Sequence, residues 1–269
     1  MHVNEFDRRY RHGLGSRWAG RAIAAGVVAA VSAPVGPAYG GRRSALQAAG
    51  AILAASLILA AGLAPPAAAQ SRGGSGSGDA TRTIRLVALG DSLTAGYGLP
   101  GSAAFPVVLE AALKARGRRV EIVNAGVSGD TATGGLERVD WSVPDGTDGV
   151  ILELGANDML RGTDPDVTRR ALDTIVARLK ARGIAVMLAG MRASSNYGAD
   201  YRTRFDAIYP SLARDPGLLL FPFFLEGVAG DRALNLPDGV HPTSEGVRRI
   251  VERILPTVER FIGTLPAKV

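Results

Sequence analysis

The stretch TIRLVALGDSLTAGY, residues 83–97, joins an apolar run to a glycine, an aspartate and a serine. The run from Ile84 to Leu89 is typical of a buried strand, and the polar residues after it mark the end of that strand. A serine in this place can cap a following helix, or it can be a nucleophile held at the edge of a sheet. The rest of the chain has to distinguish these two roles.

Strand and helix patterns alternate from this stretch to the C-terminus. Further strands are predicted at 120–124, 149–154, 185–189 and 218–221, and helices are predicted to begin near residues 105, 131, 165, 201 and 243. The nearly continuous apolar run 149–154 is typical of a buried parallel sheet. Because alternating elements imply right-handed crossovers, the predicted fold is a flavodoxin-like α/β class. It is a three-layer α/β/α sandwich around about five parallel strands.

Candidate polar groups follow three of the predicted strands. They are Ser92, the segment 124–129 and the segment 155–158. Ligands of such sheets bind outside the carboxyl ends of the strands. The sequence therefore predicts a functional site along this edge.

The first 69 residues differ from the rest and predict an export leader. Arg42-Arg43 precedes an apolar run at about 48–64, which Pro65-Pro66 and three alanines follow. These are the parts of a cleavable signal peptide. Cleavage is favoured over a membrane-tethered form, because the run has about 16 residues and a spanning helix needs roughly 20.

The expected organisation is a leader at 1–69, a Gly/Ser-rich linker at 70–81 and one folded domain with a full core at 82–269. The expected location is periplasmic or secreted, without a stable membrane span in the mature form.

The charge of the complete chain belongs largely to the leader. Of 31 basic and 25 acidic residues, 24 and 23 remain after residue 69, so nucleic acid is not an expected partner. The chain has no cysteine, and His241 is the only histidine after the leader. These counts exclude thiol chemistry, disulfides and a multi-histidine metal site. No metal or organic cofactor is expected.

A candidate base for Ser92 lies near the C-terminus. A serine hydroxyl needs a base, usually a histidine that a carboxylate orients. In a bent loop Asp238 can reach Nδ1 of His241 and leave Nε2 to face Ser92. Glu245 is the competing carboxylate. Each residue also has a structural role open to it, His241 as a helix cap and Asp238 as a turn residue.

Candidate donors for the oxyanion of acyl transfer lie along the same edge. The Ser92 N–H stands at the start of a predicted helix, and Gly129 allows close backbone approach because it has no Cβ. Asn157 offers a side-chain N–H. Glycine and asparagine are also common in ordinary turns.

Four ordered blocks of this sequence resemble those of the SGNH, or GDSL-type, hydrolases. They are GDSL (90–93), GD (129–130), GAND (155–158) and DGVHP (238–242). The sequence looks most similar to the bacterial arylesterase, acyl-CoA thioesterase I and lysophospholipase L1 group, over roughly residues 84–262. Ala156 departs from the pattern, since such relatives often carry a second glycine there. We expect this change to bear on acyl-chain preference more than on catalysis.

The resemblance implies an exported serine esterase that acts through an acyl-serine intermediate. Ser92 would be the nucleophile, His241 the base and Asp238 its orienting partner. The oxyanion hole would consist of the N–H groups of Ser92 and Gly129 and the side chain of Asn157. The expected substrate is a small acyl ester or thioester, bound by a monomer.

Four apolar residues are predicted to line the acyl site, although each could equally belong to the core or a lid: Met159, Leu160, Met191 and Tyr197.

Two alternative functions stay open. One keeps the fold and chemistry but acts on acetylated carbohydrate. The other is a flavodoxin-like binding module without catalysis. Nucleotide binding is disfavoured, because neither a Walker A sequence nor Gly-x-Gly-x-x-Gly follows the first strand. A binding module also has no need of Ser, Asn, Asp and His together at strand ends.

Overall fold

The structure, a computed structural model, describes residues 82–266. The predicted leader and linker lie outside these residues. Strands and helices alternate along the described chain as follows: β1 Ile84–Gly90, α1 Ser92–Ala95, a 3₁₀ turn Gly101–Ala103, α2 Phe105–Ala115, β2 Val120–Gly126, α3 Ala132–Ser142, β3 Gly149–Glu153, α4 Ala156–Leu160, α5 Pro165–Ala181, β4 Ala185–Ala189, α6 Ala199–Asp206, α7 Ile208–Leu212, β5 Leu219–Phe221 and α8 Ser244–Thr264.

The five strands form one parallel sheet in the order β2-β1-β3-β4-β5. Gly90, the last residue of β1, pairs with Gly126 of β2 and with Glu153 of β3. The carboxyl ends of these three strands therefore meet at one edge. The parallel α/β fold predicted from the sequence is confirmed.

Helices cover the sheet so completely that all five residues of β3 are buried. Helix α2 packs against α8, and α3 packs against α5. The close approach of α8 depends on Gly149, where a Cβ would come within 2.7 Å of the Phe261 ring. Within residues 82–266, no helix is both long enough and apolar enough to cross a membrane.

The chain differs from the predicted elements at two places. The helix predicted at 201–212 is divided into α6 and α7. Pro210 explains the break, because its ring would clash with the Asp206 carbonyl in one continuous helix. No helix was predicted between 155 and 160, but Asn157 lies in the five-residue helix α4. This helix places Asn157 directly after β3.

Candidate active site

Ser92 lies at the point where the sheet changes direction of winding. The chain places β2 on one side of β1 and β3 on the other, which opens a crevice at the carboxyl ends of β1 and β3. Ser92 is the first residue of α1, and Asp91 caps that helix by accepting a hydrogen bond from Leu93 N at 3.0 Å. Ser92 is therefore held at the crevice by the helix start that follows β1.

The structure brings Ser92, His241 and Asp238 into one hydrogen-bonded series. Nε2 of His241 is 2.9 Å from Oγ of Ser92, and its Nδ1 is 2.8 Å from Oδ2 of Asp238. With the ring proton on Nδ1, the imidazole donates to Asp238 and accepts from the serine hydroxyl. Glu245 contacts Arg248 instead, within α8. The competing carboxylate thus has a different partner.

The second oxygen of Asp238 fixes the loop that carries His241. Oδ1 accepts from the backbone N–H of Val240 at 2.9 Å and of His241 at 3.0 Å. Burial opposes ionisation, but these N–H groups and the imidazole outweigh it, so the pKa of Asp238 lies below its ordinary value. The carboxylate is therefore charged where the imidazole needs a stabilising partner.

Asp91 orients the side chain of Asn157. Nδ2 of Asn157 donates to Oδ2 of Asp91 at 3.0 Å. The same carboxyl that caps α1 thus fixes the amide at the start of α4. One Asn157 N–H is bound in this way, and the amide nitrogen carries a second N–H.

Gly129 lies in a tight turn after β2, with a φ of +87° that favours glycine. The Gly129 carbonyl accepts a hydrogen bond from the Arg161 guanidinium at 2.7 Å. This bond fixes the orientation of the peptide next to the Gly129 N–H. The Ser92 N–H, at the first position of α1, has no acceptor within its own helix.

Arg138, which the sequence analysis did not identify, joins the backbone segments around the site. It is buried, and its guanidinium donates to Asp130 Oδ2 at 2.6 Å, to the Gly90 carbonyl at 2.8 Å and to the Ala125 carbonyl at 2.9 Å. These bonds tie the ends of β1 and β2 to the turn that contains Gly129. Glu137 and Asp140 are its neighbours in α3, so the sequence gives no signal that Arg138 is buried.

A second buried carboxyl, Glu153, lies beside Asp91 and Thr94 and was not predicted from the sequence. Its Oε2 accepts from Thr94 Oγ1 at 2.7 Å and from Asp91 N at 3.4 Å. Burial is the main cause that raises the pKa of Asp91 to about 7. The hydrogen bonds from Leu93 and Asn157 act in the opposite direction and lower this pKa. Burial and the charge of Asp91 raise the pKa of Glu153 well above its ordinary value. This pair of carboxyls therefore favours a neutral, protonated state.

A cavity of about 270 Å³ opens beside Ser92 and His241. Three of the four predicted acyl-site residues, Met159, Leu160 and Met191, lie in its wall. Tyr197 does not; its hydroxyl donates to the Met159 carbonyl and its ring stacks on Tyr201. The other lining residues are Leu93, Ala156, Asn157, Arg192, Ala193, Ser194, Ser195, Arg202, Phe223, Leu225, Ala229 and Val240.

Apolar side chains make up much of the lining of this cavity. Its wall is mainly apolar, with the serine and imidazole among the polar groups that line it. Ala156, the departure from the glycine of similar sequences, is part of the lining. In the described part of the chain, no group of three or more His, Cys, Asp or Glu residues has a metal-binding arrangement.

A hydrogen-bonded serine, histidine and aspartate at the crevice of a parallel sheet is the arrangement of a serine-type hydrolase. The sequence pattern of the GDSL-like Lipase/Acylhydrolase family matches residues 88–249. The chain belongs to this family, and it is an enzyme of the esterase type.

Two relatives and one solved structure illustrate the similarity. An arylesterase of Vibrio mimicus is 40% identical over 169 residues, which are 62% of this chain and 84% of the relative. The thioesterase 1/protease 1/lysophospholipase L1 of Escherichia coli is 38% identical over 161 residues, 60% of this chain and 76% of the relative. The crystal structure of AlinE4, an SGNH-hydrolase family esterase, is 44% identical with a TM-score of 0.57 and covers 69% of this chain and 98% of AlinE4.

Proposed function

We propose that the protein hydrolyses carboxylic esters through an acyl-enzyme formed on Ser92. The observation that carries this proposal is the 2.9 Å contact between Ser92 Oγ and His241 Nε2, continued to Asp238 at 2.8 Å. A serine hydroxyl with a base at this distance can lose its proton as it attacks.

The first half of the reaction forms the acyl-serine. Oγ of Ser92 attacks the carbonyl carbon while Nε2 of His241 takes the hydroxyl proton. The carbonyl oxygen becomes an oxyanion, which accepts hydrogen bonds from the N–H groups of Ser92 and Gly129 and from Asn157. The intermediate then collapses, the carbon–oxygen bond to the alcohol breaks, and the imidazolium protonates the leaving alcohol.

The second half of the reaction releases the acid. A water molecule gives a proton to His241 and attacks the acyl carbon. When this second tetrahedral intermediate collapses, the bond to Ser92 breaks and the serine oxygen regains its proton from His241. Asp238 keeps the ring in the required tautomer and stabilises the imidazolium.

The substrate class follows from the cavity and from the relatives. The apolar wall favours aliphatic or aromatic acyl groups over acetylated carbohydrate. Relatives named arylesterase and thioesterase support esters, with thioesters as a further class. The contacts of Ser92, His241 and Asp238 require no residue from a second chain, and the active form that we propose is a monomer.

The test is hydrolysis of p-nitrophenyl esters from acetate to palmitate by the purified protein and its Ser92→Ala variant. We expect activity in the first and at most a trace in the second. Comparable activity in both would remove Ser92 as the nucleophile. The chain-length profile would separate arylesterase behaviour from that of a long-chain lipase or thioesterase.

Export of the enzyme by a cleavable leader is a separate proposal. It is supported by the basic pair Arg42-Arg43, the apolar run 48–64 and the small residues that follow. N-terminal sequencing of the protein from an exporting bacterial host tests it. A mature end near residue 70, outside the cytoplasm, is the expected result, and an uncleaved cytoplasmic product would contradict the proposal.

A further inference from the structure

Two exposed arginines, Arg192 and Arg202, line the cavity that contains Ser92. Arg192 follows β4, and its guanidinium carbon is 5.3 Å from the centroid of the Phe223 ring, which is also part of the wall. Apart from these arginines and His241, the lining residues are uncharged, and none of them is acidic. The lining therefore carries two arginine charges and no carboxylate.

Nearby arginines bond to carboxylates or carbonyls of the described residues, whereas Arg192 and Arg202 do not. Arg204 pairs with Asp164 and Asp166, and Arg161 binds the Gly129 carbonyl. Among residues 82–266, no carboxylate or carbonyl is bonded to the guanidinium of Arg192 or Arg202. Their donors remain available to a bound molecule.

We propose that Arg192 and Arg202 form a subsite for an anionic group of the substrate, so that esters carrying a carboxylate or a similar anion are preferred. The inference rests on ester hydrolysis at Ser92. Guanidinium groups present planar donors that match carboxylates. Contact with the Phe223 ring restricts Arg192.

The anion can belong to either part of the ester. It can lie at the far end of the acyl chain or on the leaving group, and both use the same guanidinium chemistry. A different use of these residues is also physically reasonable, because arginine stems can cover apolar chains while their charge stays in water. In that case, their removal would affect neutral and anionic esters alike.

The experiment compares two pairs of esters with matched chain lengths. The acyl-side pair is mono-p-nitrophenyl suberate and its methyl ester. The leaving-group pair is 4-nitro-3-(octanoyloxy)benzoate and 2-nitrophenyl octanoate. For each pair, the ratio of kcat/KM for the anionic ester to that for the neutral ester is measured. Intrinsic reactivity differences cancel when this ratio is compared between enzymes.

The variants are R192Q/R202Q and a control, R169Q/R214Q. The control removes two exposed arginines that do not line the cavity, so the net charge changes equally. We expect R192Q/R202Q to lower the ratio about tenfold or more for at least one pair, with the control within about twofold of wild type. The pair that responds identifies where the anion lies.

Several results would overturn the inference. An unchanged ratio for both pairs in R192Q/R202Q would do so, as would an equal fall in the control. If one of these results is obtained while the wild type hydrolyses the neutral esters, the function proposed for Ser92 stands. If it hydrolyses neither neutral nor anionic esters, the proposed function itself fails and the subsite fails with it.

Discussion

Replacing Asp238 by asparagine should reverse the tautomer of His241. In the native loop, Oδ1 of Asp238 accepts two backbone N–H groups while Oδ2 accepts the Nδ1–H of the imidazole. An asparagine side chain has only one acceptor oxygen, and the two backbone N–H groups donate to it. Its NH₂ group must then face the imidazole. The imidazole then accepts a hydrogen bond from this NH₂ group at Nδ1 and carries its proton on Nε2. In that tautomer it cannot take the proton of Ser92.

The size of the effect follows from the bonds that change. To act as a base, the imidazole of the variant must carry its proton on Nδ1. Two N–H groups then face each other, and the lost hydrogen bond costs about 1–3 kcal/mol. It also loses a charged partner for the imidazolium, worth about 1.5–3 kcal/mol and at the low end here because Asp238 is partly exposed. A total of about 2.5–4.5 kcal/mol predicts a fall in kcat of about 10²–10³.

The assay is the steady-state hydrolysis of p-nitrophenyl butyrate, with ¹⁵N NMR of the imidazole as an independent readout. The His241→Ala variant assigns the signals, since the other two histidines are His2 and His12. Glu245→Gln is the matched control and should stay within about twofold of wild type, because Glu245 binds Arg248 and not the imidazole. If Asp238→Asn kept kcat within tenfold of wild type, or kept its proton on Nδ1, the tautomer argument would be refuted.

Three further predictions test the surroundings of the nucleophile. Asn157→Ala should lower kcat by about 10²–10³ with little change in KM, the usual cost of one lost oxyanion donor; an unchanged kcat would remove Asn157 from the hole. Gly155→Ala should lower the free energy of unfolding in urea by about 2 kcal/mol or more, because its φ is +118° and a Cβ would stand 2.2 Å from Tyr209 Oη. Gly162→Ala, also at positive φ but in open space, should lower the free energy of unfolding by only about 1 kcal/mol. Equal losses in the two variants would contradict a clash between the new Cβ and Tyr209. Burial raises the pKa of Asp91 from 3.8 to about 7, so the unfolded chain releases this proton first and stability should fall as pH rises between these values. The unfolding free energy of Asp91→Asn, relative to wild type, should therefore rise over the same range, and a flat difference would argue against the buried protonated pair.

The sequence was sufficient for those parts of the site that depend on strand order. The residues after β1 and β3 had to share an edge once the sheet was parallel, and His241 was the only histidine after the leader. The offset of three residues within one loop allowed Asp238 to reach His241, and the family resemblance favoured it over Glu245. These inferences need connectivity and local geometry, which periodicity and motifs supply.

The supporting contacts could not be read from the sequence, because they join residues that are distant along the chain. Arg138 reaches back 48 positions to the Gly90 carbonyl, and Asn157 reaches 66 positions to Asp91. Glu153 ends an apolar strand, where a carboxyl is normally expected to point to solvent. Tyr197 was predicted in the acyl wall, but only packing decides that it supports the Met159 backbone instead.

Covalent labelling of Ser92 is the most direct test of the central claim. The purified protein is treated with a fluorophosphonate, and the digest is analysed by mass spectrometry while residual esterase activity is followed. The account predicts one phosphonyl group per chain, on the peptide containing Ser92, with loss of activity in proportion to labelling and no label in Ser92→Ala. Inactivation with Ser92 unmodified, or full activity with Ser92 modified, would contradict the account.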